Sequence, residues 1–258
     1  MRLLEFPHSH YCEKARWALD YKGVPFRTVP VMPGYHVVTV RRYAPDAAVP
    51  VLLDGGEVVQ GSSAIIDYLE QRHTEQPLTP ADAPERNECL EIESDMDDRL
   101  GENLRRILYH WLLAYPDFIR YCFTHPMPAY KRALVALIYP ALRRKIYQTY
   151  VVSPAKVERS MREFERALAE IGQRLDGERY LVGDRFTRAD LSVAAMLSLL
   201  VMPPEHPFPW IAIPDSEARA FYDAYRDHPV CGWVREMYRM HRRAVTAGAN
   251  RAGVLQGA

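Results

Sequence analysis

The pattern of the chain changes once, at His73-Thr74-Glu75-Gln76-Pro77-Leu78-Thr79-Pro80-Ala81-Asp82-Ala83-Pro84. A polar stretch punctuated by three prolines suits neither a helix interior nor a central strand, so it reads as a linker. Upstream of it, short strand-like runs alternate with helical ones. Downstream, nearly everything carries helical periodicity. This asymmetry predicts an α/β domain over residues 1–72, a linker over 73–85 and an all-helical domain over 86–245.

Within the first domain, Arg2-Leu3-Leu4-Glu5-Phe6 reads as a strand. A helix over residues 11–22 carries apolar residues at Tyr11, Ala15, Ala18 and Leu19 and is stopped by Gly23. Residues 26–31 form a second strand and 36–43 a weaker helix. Two further strands, 49–53 and 57–60, flank Asp54-Gly55-Gly56, a strong hairpin signal. Ser62 opens a helix through Leu69, giving the order βαβαββα. Pro50 cannot donate a ladder hydrogen bond, so it belongs at a strand entrance or on an edge, and a cis bond is open to it.

Beyond the linker, helices are expected over 85–114, 130–150, 154–175, 188–202, 215–225 and 230–244. Before the fourth of these, Thr187 and Asp190 have capping-box spacing, with Phe186 placed to staple onto Leu191. Residues 246–258 are small and polar and are expected to be a flexible tail.

Lys+Arg and Asp+Glu both number 33, and the net charge is zero, which removes the electrostatic footprint of a nucleic-acid binder. The longest nearly apolar run, residues 191–202, is too short to span a bilayer, so no membrane role is expected. Cys12, Cys89, Cys122 and Cys231 have neither disulfide-framework nor metal-ligand spacing, and the nine histidines are scattered. No metal site and a reducing, cytoplasmic setting are expected.

Chemistry concentrates where the first strand runs into the first helix. Ser9 sits at the N-cap position and Cys12 in the first turn, where exposed amides and the helix dipole favour an anion such as a thiolate. Serine is also a favoured cap whatever the function, and a cysteine there can be plain packing.

Ser9-His10-Tyr11-Cys12 resembles the glutaredoxin Cys-Pro-Tyr-Cys motif with serine in the first place. The following Glu13-Lys14-Ala15-Arg16-Trp17-Ala18-Leu19 is similar to the helix of cytosolic glutathione transferases. Val49-Pro50 resembles that family's cis-proline motif, and Ser62-Ser63-Ala64-Ile65-Ile66-Asp67-Tyr68-Leu69 its Ser-x-Ala-Ile-x-x-Tyr-Leu segment. The resemblance implies an α/β thioredoxin-like N-terminal domain, βαβαββα, followed by an all-α C-terminal domain. It also implies glutathione as co-substrate, an apolar electrophile as second substrate, and a homodimer.

By the same resemblance Ser9 activates the glutathione thiol, while Val49, Pro50, Ser62 and Ser63 bind the tripeptide. Two family anchors are replaced, an acidic or amide residue by Gly61 and a lysine by Ala48. His36, Arg41 and Arg42 are candidate substitutes. An electrophile pocket would draw on Tyr109, Trp111, Tyr115, Phe118, Tyr121 and residues 202–210. Two other activities stay open: thiol–disulfide or deglutathionylation chemistry with Cys12 as nucleophile, and a noncatalytic scaffold for an apolar ligand.

Overall fold

A computed structural model describes residues 1–242. The expected tail, and the last residues of the expected final helix, lie outside the described residues. The first domain runs β1 (Arg2–Glu5), α1 (His10–Tyr21), β2 (Arg27–Pro30), α2 (His36–Val40), β3 (Val51–Asp54), β4 (Glu57–Gln60) and α3 (Ser62–Arg72). The sheet order is β2-β1-β3-β4, with β1 and β2 parallel and the other two pairings antiparallel.

Alternation along the strands divides two apolar layers. Leu3 and Leu52 join the core that contains α1 and α3, whereas Leu4, Val51 and Leu53 pack with Val40 of α2 on the opposite face. Asp54 pairs with Glu57 across a two-residue turn in which Gly55 and Gly56 both have positive φ, at 55° and 104°. Only glycine reaches such a pair without strain, so the Asp54-Gly55-Gly56 signal sets the hairpin register.

The helical domain comprises α4 (Ala83–Met96), α5 (Asn103–Leu112), α6 (Pro116–Thr124), α7 (Ala129–Ile146), α8 (Pro154–Arg174), α9 (Arg188–Val201), α10 (Glu217–Tyr225) and α11 (Pro229–His241). The helix expected over 85–114 is two helices joined by a wide π-helical turn, Asp97–Glu102, and a second such turn, Tyr147–Val151, ends the expected 130–150 segment. Helix α6 had no separate sequence signal, being nine residues between prolines. Almost all of α9 is buried, and α1, α4 and α11 pack around it.

Charged residues are buried where the two domains meet. Lys14 of α1 is 0 % exposed, with its Nζ 2.8 Å from Glu93 Oε1 and 2.5 Å from Asp97 Oδ2. Glu93 in turn pairs with Arg188, which reaches back to Asp67 of α3. One residue before Lys14 on α1, Glu13 pairs with Arg16 and with Arg242 beyond α11, and Arg242 also meets Asp20. Burial pushes the Glu13 carboxyl upward, but Arg242 and Arg16 outweigh it and hold the group at about 2.

The capping box is present at α9. Asp190 accepts from the Thr187 N–H at 2.8 Å and its hydroxyl at 2.9 Å, and its second oxygen accepts from the Leu181 N–H at 2.8 Å. Asp190→Ala therefore strands two buried amide donors, each at a cost of about 1–3 kcal/mol. The expected result is a loss of about 3 kcal/mol in urea unfolding, with Asp190→Asn recovering part of it.

Candidate functional site between the domains

Ser9 caps α1 from an extended backbone (φ −80°, ψ 127°), and its Oγ accepts from the Cys12 N–H at 3.4 Å. Its own N–H bonds to the Phe6 carbonyl, closing the turn that carries the chain out of β1. The hydroxyl thus stands at the positive end of a 12-residue helix. It borders a cavity of about 320 Å³ walled by Phe6, Ser9 and Val49 from the first domain and by Tyr109, Phe118 and Trp210 from the second.

The Val49–Pro50 bond is cis, the alternative that the sequence left open. Val49 and His36 line the cavity together with Ser9. Pro50 is buried behind them, and its carbonyl accepts from the Gly61 N–H at 3.0 Å. His36 receives the Gly34 N–H on Nδ1 and lies edge-on to Phe6, and burial lowers its pKa from the ordinary imidazole value. Arg41 and Arg42 are exposed and stand outside the cavity wall.

Cys12 and Ser63 stand off the cavity wall. The Cys12 side chain is fully buried away from the cavity, and burial, reinforced by the nearby Glu5 carboxylate, raises its thiol to about 12. A thiol that holds its proton so tightly is a poor nucleophile at neutral pH. Ser63 turns its hydroxyl inward, 2.9 Å from Lys14 Nζ and 3.3 Å from Asp97 Oδ2, so that oxygen belongs to the domain interface. Ser62 is buried at the start of α3.

Gly61 has φ 102° and ψ 144°, a conformation essentially restricted to glycine. A side chain at this position is excluded by the backbone and not by crowding, since an added Cβ would meet nothing within 4 Å. Gln60 is spent on the loop before the cis-proline. Its Nε2 donates to the Asp46 and Ala48 carbonyls and its Oε1 accepts from the Asp46 N–H.

Of the aromatic candidates, Tyr109, Phe118 and Trp210 line the cavity. Trp111 packs on Phe221, Tyr115 reaches the Asp215 carbonyl, and Tyr121 donates to the Pro209 carbonyl. Arg105, Leu108 and Leu112 line it as well. Their spacing with Tyr109 is that of one helical face, the signal that could have found them. Tyr11 lines the cavity too, and its hydroxyl donates to the Asp97 carbonyl at 2.7 Å, tying the start of α1 to the π-helical turn.

Residues 3–77 match the model of the glutathione S-transferase N-terminal domain, and residues 154–226 that of the glutathione S-transferase C-terminal domain. The chain is 29% identical over 233 residues to glutathione S-transferase TCHQD of Arabidopsis thaliana, covering 80% of each sequence. It is 33% identical over 89 residues to glutathione S-transferase Z1 of the same plant, covering 33% of this chain and 40% of the relative. A crystal structure of a glutathione S-transferase from Methylobacterium radiotolerans, in complex with glutathione sulfonate, superposes with a TM-score of 0.62 at 25% identity, covering 100% of this chain and 98% of that one. The thioredoxin-like sheet, the helical second domain and the matches to both domain models place this chain in the glutathione S-transferase superfamily.

Proposed function

We propose that this protein transfers glutathione to an apolar electrophile, with Ser9 donating a hydrogen bond to the glutathione sulfur. The observation that carries the reading is the position of Ser9, capping α1 at the rim of an apolar cavity while the Cys12 thiol is buried and fully protonated. Glutathione bound in related structures, as its sulfonate in the Methylobacterium protein, supports it as co-substrate. The serine hydroxyl and the α1 amides would stabilise the thiolate, which attacks the electrophile. The carbon–sulfur bond forms as the leaving group departs with its electron pair, and the thiol proton passes to solvent.

The Val49 backbone would pair with the tripeptide and the start of α3 at Ser62 would hold its γ-glutamyl carboxylate. Pro50 shapes the turn. Pairing of two copies through α3 and α4 is the expected assembly, checked by light scattering at micromolar concentration. Four free, buried cysteines accord with a cytoplasmic setting. Among the described residues no helix is long and apolar enough to cross a membrane.

Calorimetric titration with glutathione, followed by conjugation of a generic aromatic electrophile, tests the assignment. Binding without turnover favours the noncatalytic scaffold. With no side chain available at Gly61 and none of use at Ala48, each absent charge-assisted contact removes about 1.5–3 kcal/mol, so the complex is expected to be millimolar. Ala48 borders the cavity and is exposed, and Ala48→Lys should tighten glutathione by about tenfold. A low-micromolar complex in the unaltered protein would show that another residue, His36 first, has taken over these roles.

A further inference from the structure

The cavity has an uneven charge lining. Among the described residues, Arg105 of α5 is the one side chain of permanent charge along it, and no aspartate or glutamate lines it. Its three histidines add no lasting charge. Burial lowers His8 to about 4, lowers His10 well below the ordinary imidazole value, and lowers His36 as well.

The guanidinium of Arg105 lies over two rings that also line the cavity, 5.5 Å from the centre of Tyr11 and 4.5 Å from that of Tyr150. Its anionic neighbour is Glu102, at 3.8 Å and half exposed, too far for a hydrogen bond. The Arg105 Nε is buried without a hydrogen-bond partner, and so is the indole Nε1 of Trp210 on the cavity wall.

Arg106 provides the contrast. It donates to the Tyr150 carbonyl at 2.8 Å, to Asn103 at 3.1 Å and to Ser160 at 2.9 Å, which makes it a structural arginine. Arg105 has no comparable structural employment. A buried Nε–H without an acceptor is costly, and a planar oxyanion is the group whose geometry meets that edge of a guanidinium.

We propose that Arg105 selects a second substrate made of an apolar, preferably aromatic, body that carries one carboxylate, with the body held among Leu108, Tyr109 and Phe118. This rests on the transferase reading of the same cavity and adds the chemical class of the electrophile. Arg105 acts as a specificity residue, and Ser9 keeps the thiol chemistry.

The test uses 4-(chloromethyl)benzoate and its neutral methyl ester as paired electrophiles. In each, the glutathione sulfur displaces chloride, which leaves with the bonding electrons. After correction for the uncatalysed rates, the unaltered protein should favour the carboxylate in kcat/KM by at least about tenfold. Arg105→Leu should raise KM for the carboxylate by a similar factor and leave the ester and the glutathione affinity unchanged, with Arg105→Lys retaining part of the preference.

The inference is overturned by no preference in the unaltered protein, by equal losses for both electrophiles in Arg105→Leu, or by a weakened glutathione complex that assigns the arginine to the tripeptide. Unreactive 4-methylbenzoate and its methyl ester, titrated calorimetrically, separate this inference from the transferase reading. Arg105-dependent binding of the acid in a protein that conjugates neither electrophile would sustain the carboxylate site and reject transferase activity. Failure of the acid to bind, with conjugation of the ester intact, would do the reverse.

Discussion

Ser9→Ala is expected to lower kcat/KM for glutathione conjugation by about ten- to a thousand-fold, the range for removing one preorganised donor to a developing anion. The same change removes the cap of α1 and costs roughly 1 kcal/mol of stability, because the Cys12 N–H loses its acceptor. The two effects separate through pH. Activity follows the thiolate fraction of bound glutathione, and Ser9 and α1 should hold that thiol below the ordinary value of about 8.5. In Ser9→Ala the pH–rate profile should move up toward that value, which a loss of stability alone does not cause. Ser9→Thr keeps the hydroxyl and should retain most of the rate. A dead Cys12→Ser variant beside a fully active Ser9→Ala variant would reject the assignment and restore the redox alternative.

The largest expected effect on stability lies at Lys14. Lys14→Ala leaves the buried Glu93 and the partly buried Asp97 with less compensating charge, and breaking a buried pair in this way costs about 3–5 kcal/mol. Asp97 retains the Ser192 hydroxyl at 2.5 Å and Glu93 retains Arg188, which keeps the loss within that range. For a chain of this size the thermal midpoint should fall by roughly 10 °C. The denaturant midpoint should drop with little change of slope. A shift below about 1 kcal/mol would mean that water reaches the pair and screens it as on a surface.

The strand and helix order of the first domain was legible because its signals are local. The apolar runs, the Asp54-Gly55-Gly56 turn and Gly23 each act within a few residues of themselves, and β3, β4 and α1 fall within a residue or two of their expected ends. The capping box at Thr187 and Asp190 was legible for the same reason. The two π-helical turns were not, since Asp97–Glu102 opens on Asp97-Asp98-Arg99 and its one glycine, Gly101, stands near the far end, away from the junction with α4. The burial of Glu13, Lys14 and Arg16 was equally hidden. Charged residues on a short helix ordinarily face water, and their partners lie up to 229 residues away.

Within the candidate site, Ser9, Val49 and His36 follow from motif and loop position. Ser63 and Cys12 do not, because position in a helical turn does not say which way a side chain faces. Ser63 turns to Lys14, and Cys12 turns into the core. Arg105 escaped notice because a basic residue on an amphipathic helix reads as solvated. Its neighbour Arg106 serves a structural role one position away.

The buried ion pairs also bear on how this architecture can be inherited. Glu13, Lys14, Arg16 and Asp20 come from the first domain, while Glu93, Asp97, Arg188 and Arg242 come from the second, and the ion pairs of Lys14 and of Arg242 all cross between the two halves. A recombination that joined this first domain to another helical partner would strand Lys14 unless the donor carried acids at both the Glu93 and Asp97 positions. The two halves are therefore constrained to travel as one hereditary unit, even though a proline-rich joint between them looks like a natural place to cut.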